Sequence, residues 1–354
     1  MSTFAFGTQR VSDANLLHIE ALKEAIEVGV RVFETSIHYT DGGAQRAIAR
    51  VMALFEDAIR DEIEIINSSV YMQNDTQDIA EFIEEEIKKS LKNLQLNSIE
   101  TFLIECEDAF INDAFTALEK EIQNNNIKSY GICNKQSFDI ENYIDQAQNA
   151  AKSIGNDKHG FRVVELTINL LEREALQYAA LAKKSGLRVL SCRPLDAQKD
   201  GLVYRLAEYE EPKDYYHTLN ELLEICENDQ LHALYNLVEQ MDMNRHKFGF
   251  IGEYDSFLVS QILPHIKKTI ENISQEVLDT LLEYIDRFLR EYRDMVAYES
   301  SKMTKTALKE YFKDCNAKMQ ECAFRFLLEN DDIDFVIVGM RKPSYVQEVM
   351  ALKS

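Results

Sequence analysis

The chain has 354 residues, with 39 Lys and Arg against 61 Asp and Glu and a formal net charge of −22. So acidic a balance excludes nucleic acid and anionic membrane as main partners, because phosphate recognition needs a net basic face. Only 12 Gly and 4 Pro, with 45% apolar residues and 18 Phe and 16 Tyr, exclude collagen-like and disordered chains and point to a large core rich in helix.

The six cysteines are dispersed without a C-x-x-C pair, which reads as reduced, mostly buried thiols of a cytoplasmic protein. Residues 1–7 carry no basic-then-apolar leader, and no run of 18 apolar residues spans a membrane.

Short apolar runs then alternate with helical patterns. Residues 4–11 form a first strand, and Ser12 caps a helix with Leu16, Leu17, Ala21, Ala25 and Ile26 on one face and Gly29 as its stop. Strands at 31–36, 62–71 and 98–105 follow, separated by helices at 44–60 and from Ile79 to Leu94; a further helix covers 110–125. Strands at 127–134, 161–169 and 187–194 alternate with helices ending near Ile154 and Lys184, and an eighth strand, 334–339, precedes a terminal helix after Pro343. Eight strand–helix units predict parallel βα repeats closed into a (β/α)8 TIM barrel. An open doubly wound sheet is disfavoured because no G-x-G-x-x-G follows the first strand.

The seventh unit carries a large helical insertion. The division expected is 1–195 for the first seven barrel units, 196–315 for the insertion and 316–354 for the last ones. The inserted stretch shows no convincing strand, holds ten of the 16 tyrosines, and has one clear amphipathic helix through Leu278, Leu281, Ile285, Phe288 and Tyr292. Pro264 breaks an earlier helical pattern. In a barrel, that position lies on the ligand-binding face, so the insertion reads as a lid, a homodimer surface or a platform for a protein partner. His217, His232, His246 and His265 lack metal-ligand spacing, so no metal site is expected.

Six strings in order resemble the aldo-keto reductase family: FGTQRV at 6–11, VRVFETSIHYTDGG at 30–43, IKKSLKNLQLNSIETFLIECED at 87–108, IKSYGICN at 127–134, LRVLSCRPL at 187–195 and CAFRFLLENDDIDFVIVGMRKPSYVQE at 322–348. The resemblance implies a barrel that binds NADPH or NADH and reduces a carbonyl. It also implies a catalytic Tyr flanked by Asp, Lys and His. Here the Tyr position is Tyr39, the Asp position Glu34, the Lys position Ser69 and the His position Glu105. A glutamate at the last of these resembles family members that reduce an enone.

Among cofactor positions, the resemblance places Cys133, Asn134 and Glu165 at the nicotinamide amide, Cys192 where a Tyr stacks, and Arg193 beside it. Gly339, Arg341 and Lys342 fall at the closing strand, where two cations suit a phosphate. Tyr39 without its lysine lies among carboxyls, and carboxyls close together favour one staying protonated. Glu34, Glu105 and Glu165 read either as a pocket for a metal or amine or as ion pairs with Arg193, Arg10 or Lys128. His38 reads as a surface residue. Two functions stay open: an oxidoreductase with a degenerate tetrad acting on a carbonyl or enone, and a catalytically inactive barrel binding a small molecule or protein partner.

Overall fold

The computed structural model describes residues 3–71, 78–133, 138–227, 230–271 and 273–352. It divides into two compact units, one of Met1–Pro194 with Phe324–Ser354 and the other of Leu195–Ala323.

The first unit is a closed parallel barrel. Its strands are β1 (Thr3–Gly7), β2 (Val32–Thr35), β3 (Glu64–Val70), β4 (Ile99–Glu105), β5 (Ile127–Ile132), β6 (Phe161–Thr167) and β7 (Arg188–Cys192). The closing strand, Phe335–Val338, pairs with both β7 and β1. Between the strands run α1 (Leu16–Glu27), α2 (Gly43–Met52), α3 (Asp57–Arg60), α4 (Ile79–Leu94), α5 (Ile111–Gln123), α6 (Ile140–Ser153) and α7 (Leu176–Lys184). All eight expected strands are present, so the (β/α)8 reading holds.

Several local details differ from the sequence reading. The first strand stops at Gly7 rather than Val11, because Thr8 and Val11 close a turn. Asn15, not Ser12, caps α1: its side chain accepts from the Leu17 amide at 3.0 Å. The expected helix 44–60 is two helices, α2 and the short α3.

The barrel interior is layered, since alternate residues of each strand point inward. The middle layer, Ala5, Val32, Ile66, Leu103, Val163, Leu190 and Ile337, forms one buried cluster with Cys133 of the layer above. Gly131 on β5 has no room for more: a Cβ there would lie 2.1 Å from the Val163 carbonyl oxygen. Two residues earlier along the strands, Arg188 reaches Glu64 at 2.7 Å, its guanidinium lies 5.0 Å from the Phe335 ring centre, and the Thr101 and Ser129 hydroxyls hydrogen-bond at 2.9 Å. Two residues later lie Glu34, Ser68, Glu105 and Glu165, on the layer where ligands meet a barrel.

The second unit begins with a feature absent from the sequence reading, an antiparallel hairpin of β8 (Asp196–Lys199) and β9 (Leu202–Arg205). Its turn is Asp200–Gly201, both with positive φ, the pairing a tight two-residue hairpin demands. Helices α8 (Tyr215–Ile225), α9 (His232–Asn244), α10 (Ile251–Phe257), α11 (Leu263–Ile270) and α12 (Gln275–Ala307) follow. Pro264 does not end the helical path: it lies near the start of α11, directly after a π-helical turn over Leu258–Ile262 that joins α11 to α10. The 33-residue α12 lays Leu281, Ile285, Phe288, Tyr292 and Met295 into a core shared with Tyr215, Leu222, Leu234 and Tyr254. Two of the core tyrosines have satisfied hydroxyls: Tyr292 donates to the Met241 carbonyl at 2.7 Å and Tyr215 to Asp242 at 2.6 Å.

The thiols are not all reduced. Cys315 and Cys322 form a disulfide, their Cα atoms 6.1 Å apart at the entry to α13 (Met319–Leu328). Cys106, Cys133, Cys192 and Cys226 are not disulfide-bonded and are buried or half-buried. The strand after α13 is numbered β10 (Phe335–Val338), and α14 (Pro343–Ala351) ends the chain's described helices. Among the described residues no helix is long and apolar enough to cross a membrane.

Candidate functional site

At the mouth layer the fold brings Glu34, Tyr39 and Ser68 into contact. Glu34 is the penultimate residue of β2, 5% exposed, with its backbone oxygen held by the Thr8 amide at 3.0 Å and the Thr8 hydroxyl at 2.9 Å. Its Oε1 accepts from the Tyr39 hydroxyl at 2.9 Å and from the Ser68 hydroxyl at 3.0 Å. Tyr39 rides on a loop whose Thr40, Asp41 and Gly42 all have positive φ. That loop is tied down by the Thr40 hydroxyl on the Val11 carbonyl at 2.6 Å and by Arg46, which donates to the Asp41 carbonyl and to Asp13.

Burial pushes the Glu34 carboxyl up to about 7, against the lowering effect of the two hydroxyls that donate to it. Burial and then the charge of Glu34 push the Glu165 carboxyl up to about 8, with the Cys192 thiol donating to it and Glu105 adding to the rise. Tyr39 is raised by burial and by the Glu34 charge, so its phenol is neutral and a poor acid on its own. The Cys133 and Cys192 thiols are likewise raised, first by burial and then by Glu165, and stay protonated. At neutral pH the mouth therefore holds neutral donors: phenol, hydroxyl, thiols and at least one carboxylic acid.

Among the described residues, neither Glu34 nor Tyr39 is hydrogen-bonded or ion-paired to a lysine or arginine. Lys128 pairs with Glu100 at 2.7 Å, and Arg10 and Arg193 are exposed. Nor do the carboxyls form a chelate: no group of three or more His, Cys, Asp or Glu among the described residues is placed to hold a metal ion.

Ser69 does not join Glu34 and Tyr39. It is one residue out of phase with inward-facing Ile66 and Ser68, so it points toward α4, where its hydroxyl donates to Glu86 at 2.6 Å. The inward position is Ser68, and the period of two counted from Ile66 was the signal that identifies it. His38 is not a bare surface residue either: its Nε2 lies 2.8 Å from the same Glu86 oxygen.

Glu105 ends β4, half-buried, and Glu165 lies on β6 with the same inward phase. Asn134 falls outside the described residues. Arg193 has a left-handed backbone at φ 56 and its carbonyl accepts from Asn169. Gly339 is exposed, and a Cβ there would meet only the Gly7 oxygen at 3.9 Å. Arg341 is half-buried, and its charge adds to the burial that lowers the His18 imidazole. Lys342 is exposed at the start of α14, 5.5 Å from the Tyr345 ring centre.

The comparisons agree with this architecture. The family model described as "Aldo/keto reductase family" matches residues 2–353. The aldo-keto reductase of Bacillus halodurans in its holo form superposes with a TM-score of 0.56 at 14% identity, covering 99% of this chain and 86% of that one. An aldo/keto reductase of Klebsiella pneumoniae, solved with NADP and acetate, aligns at 18% identity over 55% of this chain and 64% of that chain, with a TM-score of 0.43. The chain thus spans under two thirds of that relative's length. A search of curated proteins finds no match. With a family model matched over nearly its whole length, the chain belongs to the aldo/keto reductase family.

Proposed function

We propose that this chain is an NAD(P)H-dependent reductase of a carbonyl or enone in which a buried carboxylic acid, not a lysine-activated tyrosine, supplies the proton. The observation that carries the reading is the Tyr39 hydroxyl on Glu34 at 2.9 Å with burial holding that carboxyl at about 7. When Glu34 is protonated, its O–H can donate to the phenol oxygen, which frees the Tyr39 hydroxyl to donate to a substrate oxygen. One proton then passes from Glu34 to Tyr39 and another from Tyr39 to the substrate oxygen. Tyr39 stays neutral throughout and Glu34 ends as carboxylate, so no lysine is needed to stabilise a phenolate.

The residues fit a nicotinamide cofactor. Glu165, pushed up to about 8, is protonated at neutral pH and offers one donor and one acceptor, as a glutamine does to a carboxamide. Gly339 leaves open space at the mouth, and Arg193, Arg341 and Lys342 supply cations for phosphate groups. The cofactor, when bound, supplies the hydride.

The test is NADPH and NADH binding by calorimetry, then turnover of aldehydes, quinones and enones across pH. Reduction should fall as pH rises through about 7, when Glu34 loses its proton. Tyr39→Phe and Glu34→Gln should each lose about 10²-fold in kcat. A chain that binds neither nucleotide at millimolar concentration is the inactive ligand-binding barrel instead. That second reading is favoured by the lack of any cation bonded to Glu34 or Tyr39 among the described residues.

A further inference from the structure

Adjacent residues of the Tyr39 loop and of β3 face opposite ways, and each pair meets on one carboxyl. On the inner side, Tyr39 and Ser68 both donate to Glu34 Oε1, at 2.9 and 3.0 Å. On the outer side, His38 Nε2 and Ser69 Oγ both meet Glu86 Oε2, at 2.8 and 2.6 Å, and lie 3.4 Å from each other. This is not a nucleophile–base–acid relay. Serine and imidazole converge on one carboxylate oxygen, and the serine proton is spent on the glutamate rather than the ring.

Glu86 is 5% exposed on the inner face of α4, a costly place for a carboxyl unless two donors hold it. The His38 side chain, by contrast, is 56% exposed. An ordinary exposed His–Glu pair contributes little to stability. Its consequence here is geometric, because His38 is covalently next to the residue that donates to Glu34. The other ties on the loop, from Thr40 and Arg46, act beyond Tyr39 on its C-terminal side. On the N-terminal side, the Tyr39 amide donates to the Ser36 carbonyl at 3.2 Å and the His38 amide to the Ser36 hydroxyl at 3.3 Å, and the His38–Glu86 pair ties the loop to α4.

We infer that His38 and Glu86 are positioning residues: the clasp they form on the outer side of β3 sets the Tyr39 hydroxyl on Glu34 on the inner side. The inference rests on the Glu34–Tyr39 pair of the proposed reductase site. It is testable on the ligand-free chain, so a failure to bind nucleotide or turn over substrate would not decide it.

The readout is the titration of Glu34, followed by NMR of the full chain carrying glutamate labelled at Cδ, with Glu34→Gln giving the assignment. The Glu165 resonance is followed alongside, because its carboxyl interacts with Glu34. The Tyr39 hydrogen bond lowers the Glu34 carboxyl, so Tyr39→Phe should shift the titration upward. His38→Ala should give an upward shift of the same sign and similar size. In the Tyr39→Phe background, it should add nothing, and His38→Gln, which returns an N–H donor to Glu86, should restore the wild-type midpoint. The exposed ring makes His38→Ala a variant that should fold, checked by its thermal midpoint.

Three results would overturn the inference. Glu34 could titrate as in wild type in His38→Ala. It could shift by as much when Tyr39 is already Phe, or it could fail to move in Tyr39→Phe itself.

Discussion

The two ends of the same barrel treat inward-facing carboxyls in opposite ways. At the N-terminal end, Glu64 is met by Arg188 at 2.7 Å, and the guanidinium also lies against Phe335. At the mouth, among the described residues, Glu34 is met by hydroxyls and Glu165 by a thiol. The inward phase and the acid are alike, but Glu34 is buried and Glu64 is about a third exposed, so the difference lies in burial as well as in compensation. A structural carboxyl is given its countercharge, whereas at the mouth burial holds Glu34 at about 7, and burial with the Glu34 charge holds Glu165 at about 8. Titratable groups left uncompensated in this way mark where a protein places its chemistry.

Neutralising the mouth should have the largest effect. Glu34 and Glu165 have an ordinary value of 4.5 and folded values of about 7 and about 8. The folded state therefore holds their protons more tightly than the unfolded chain. Their contribution to stability is fully present below pH 4.5 and is lost as pH rises through 7 to 8. The wild type should weaken over that window by roughly 3 kcal/mol for Glu34 alone, and less than additively for the pair. Glu34→Gln with Glu165→Gln should flatten the dependence and be the more stable protein above pH 8, as read by denaturant midpoints.

Giving the mouth a countercharge makes it resemble the other end. Ser68→Lys, on the inward face, should bring an ammonium to Glu34 and Tyr39, draw the Glu34 titration below about 7, and lower carbonyl reduction at neutral pH, where Glu34 then lacks its proton. Ser69→Lys should do neither. Its site is 1% exposed under α4, so crowding should cost about 1–3 kcal/mol of stability without moving Glu34. The smallest effect should come from removing the countercharge at the far end. Arg188→Met should cost about 1 kcal/mol in thermal or denaturant unfolding, since both partners are about a third exposed. It should leave the titration of Glu34 unchanged.

The strand order was legible because each strand is a short apolar run bounded by helical periodicity. Tyr39 and Glu34 could be paired by their spacing in the 30–43 string. What failed is instructive. In INSSVY, the two serines are chemically identical, and only the phase set by Ile66 says that Ser68 faces the mouth and Ser69 faces α4. The hairpin of β8 and β9 is four residues on each side with mixed polarity, too short for periodicity, although its Asp200–Gly201 turn was a usable sign. The Cys315–Cys322 disulfide depends on how the chain turns into α13, which spacing alone does not reveal. Glu86 was invisible because its partners, His38 and Ser69, come from two other segments of the chain.

The most direct measurement is whether the barrel mouth keeps a carboxylic acid at neutral pH. Infrared difference spectra of the full chain, or NMR of Cδ-labelled glutamate, can count protonated carboxyls between pH 5 and 9. The account expects a protonated signal that persists at pH 7, bleaches between about 7 and about 8, and disappears in the Glu34→Gln, Glu165→Gln double variant. If every carboxyl is already ionised at pH 6, the mouth is compensated after all, and the carboxylic-acid proton donor is wrong.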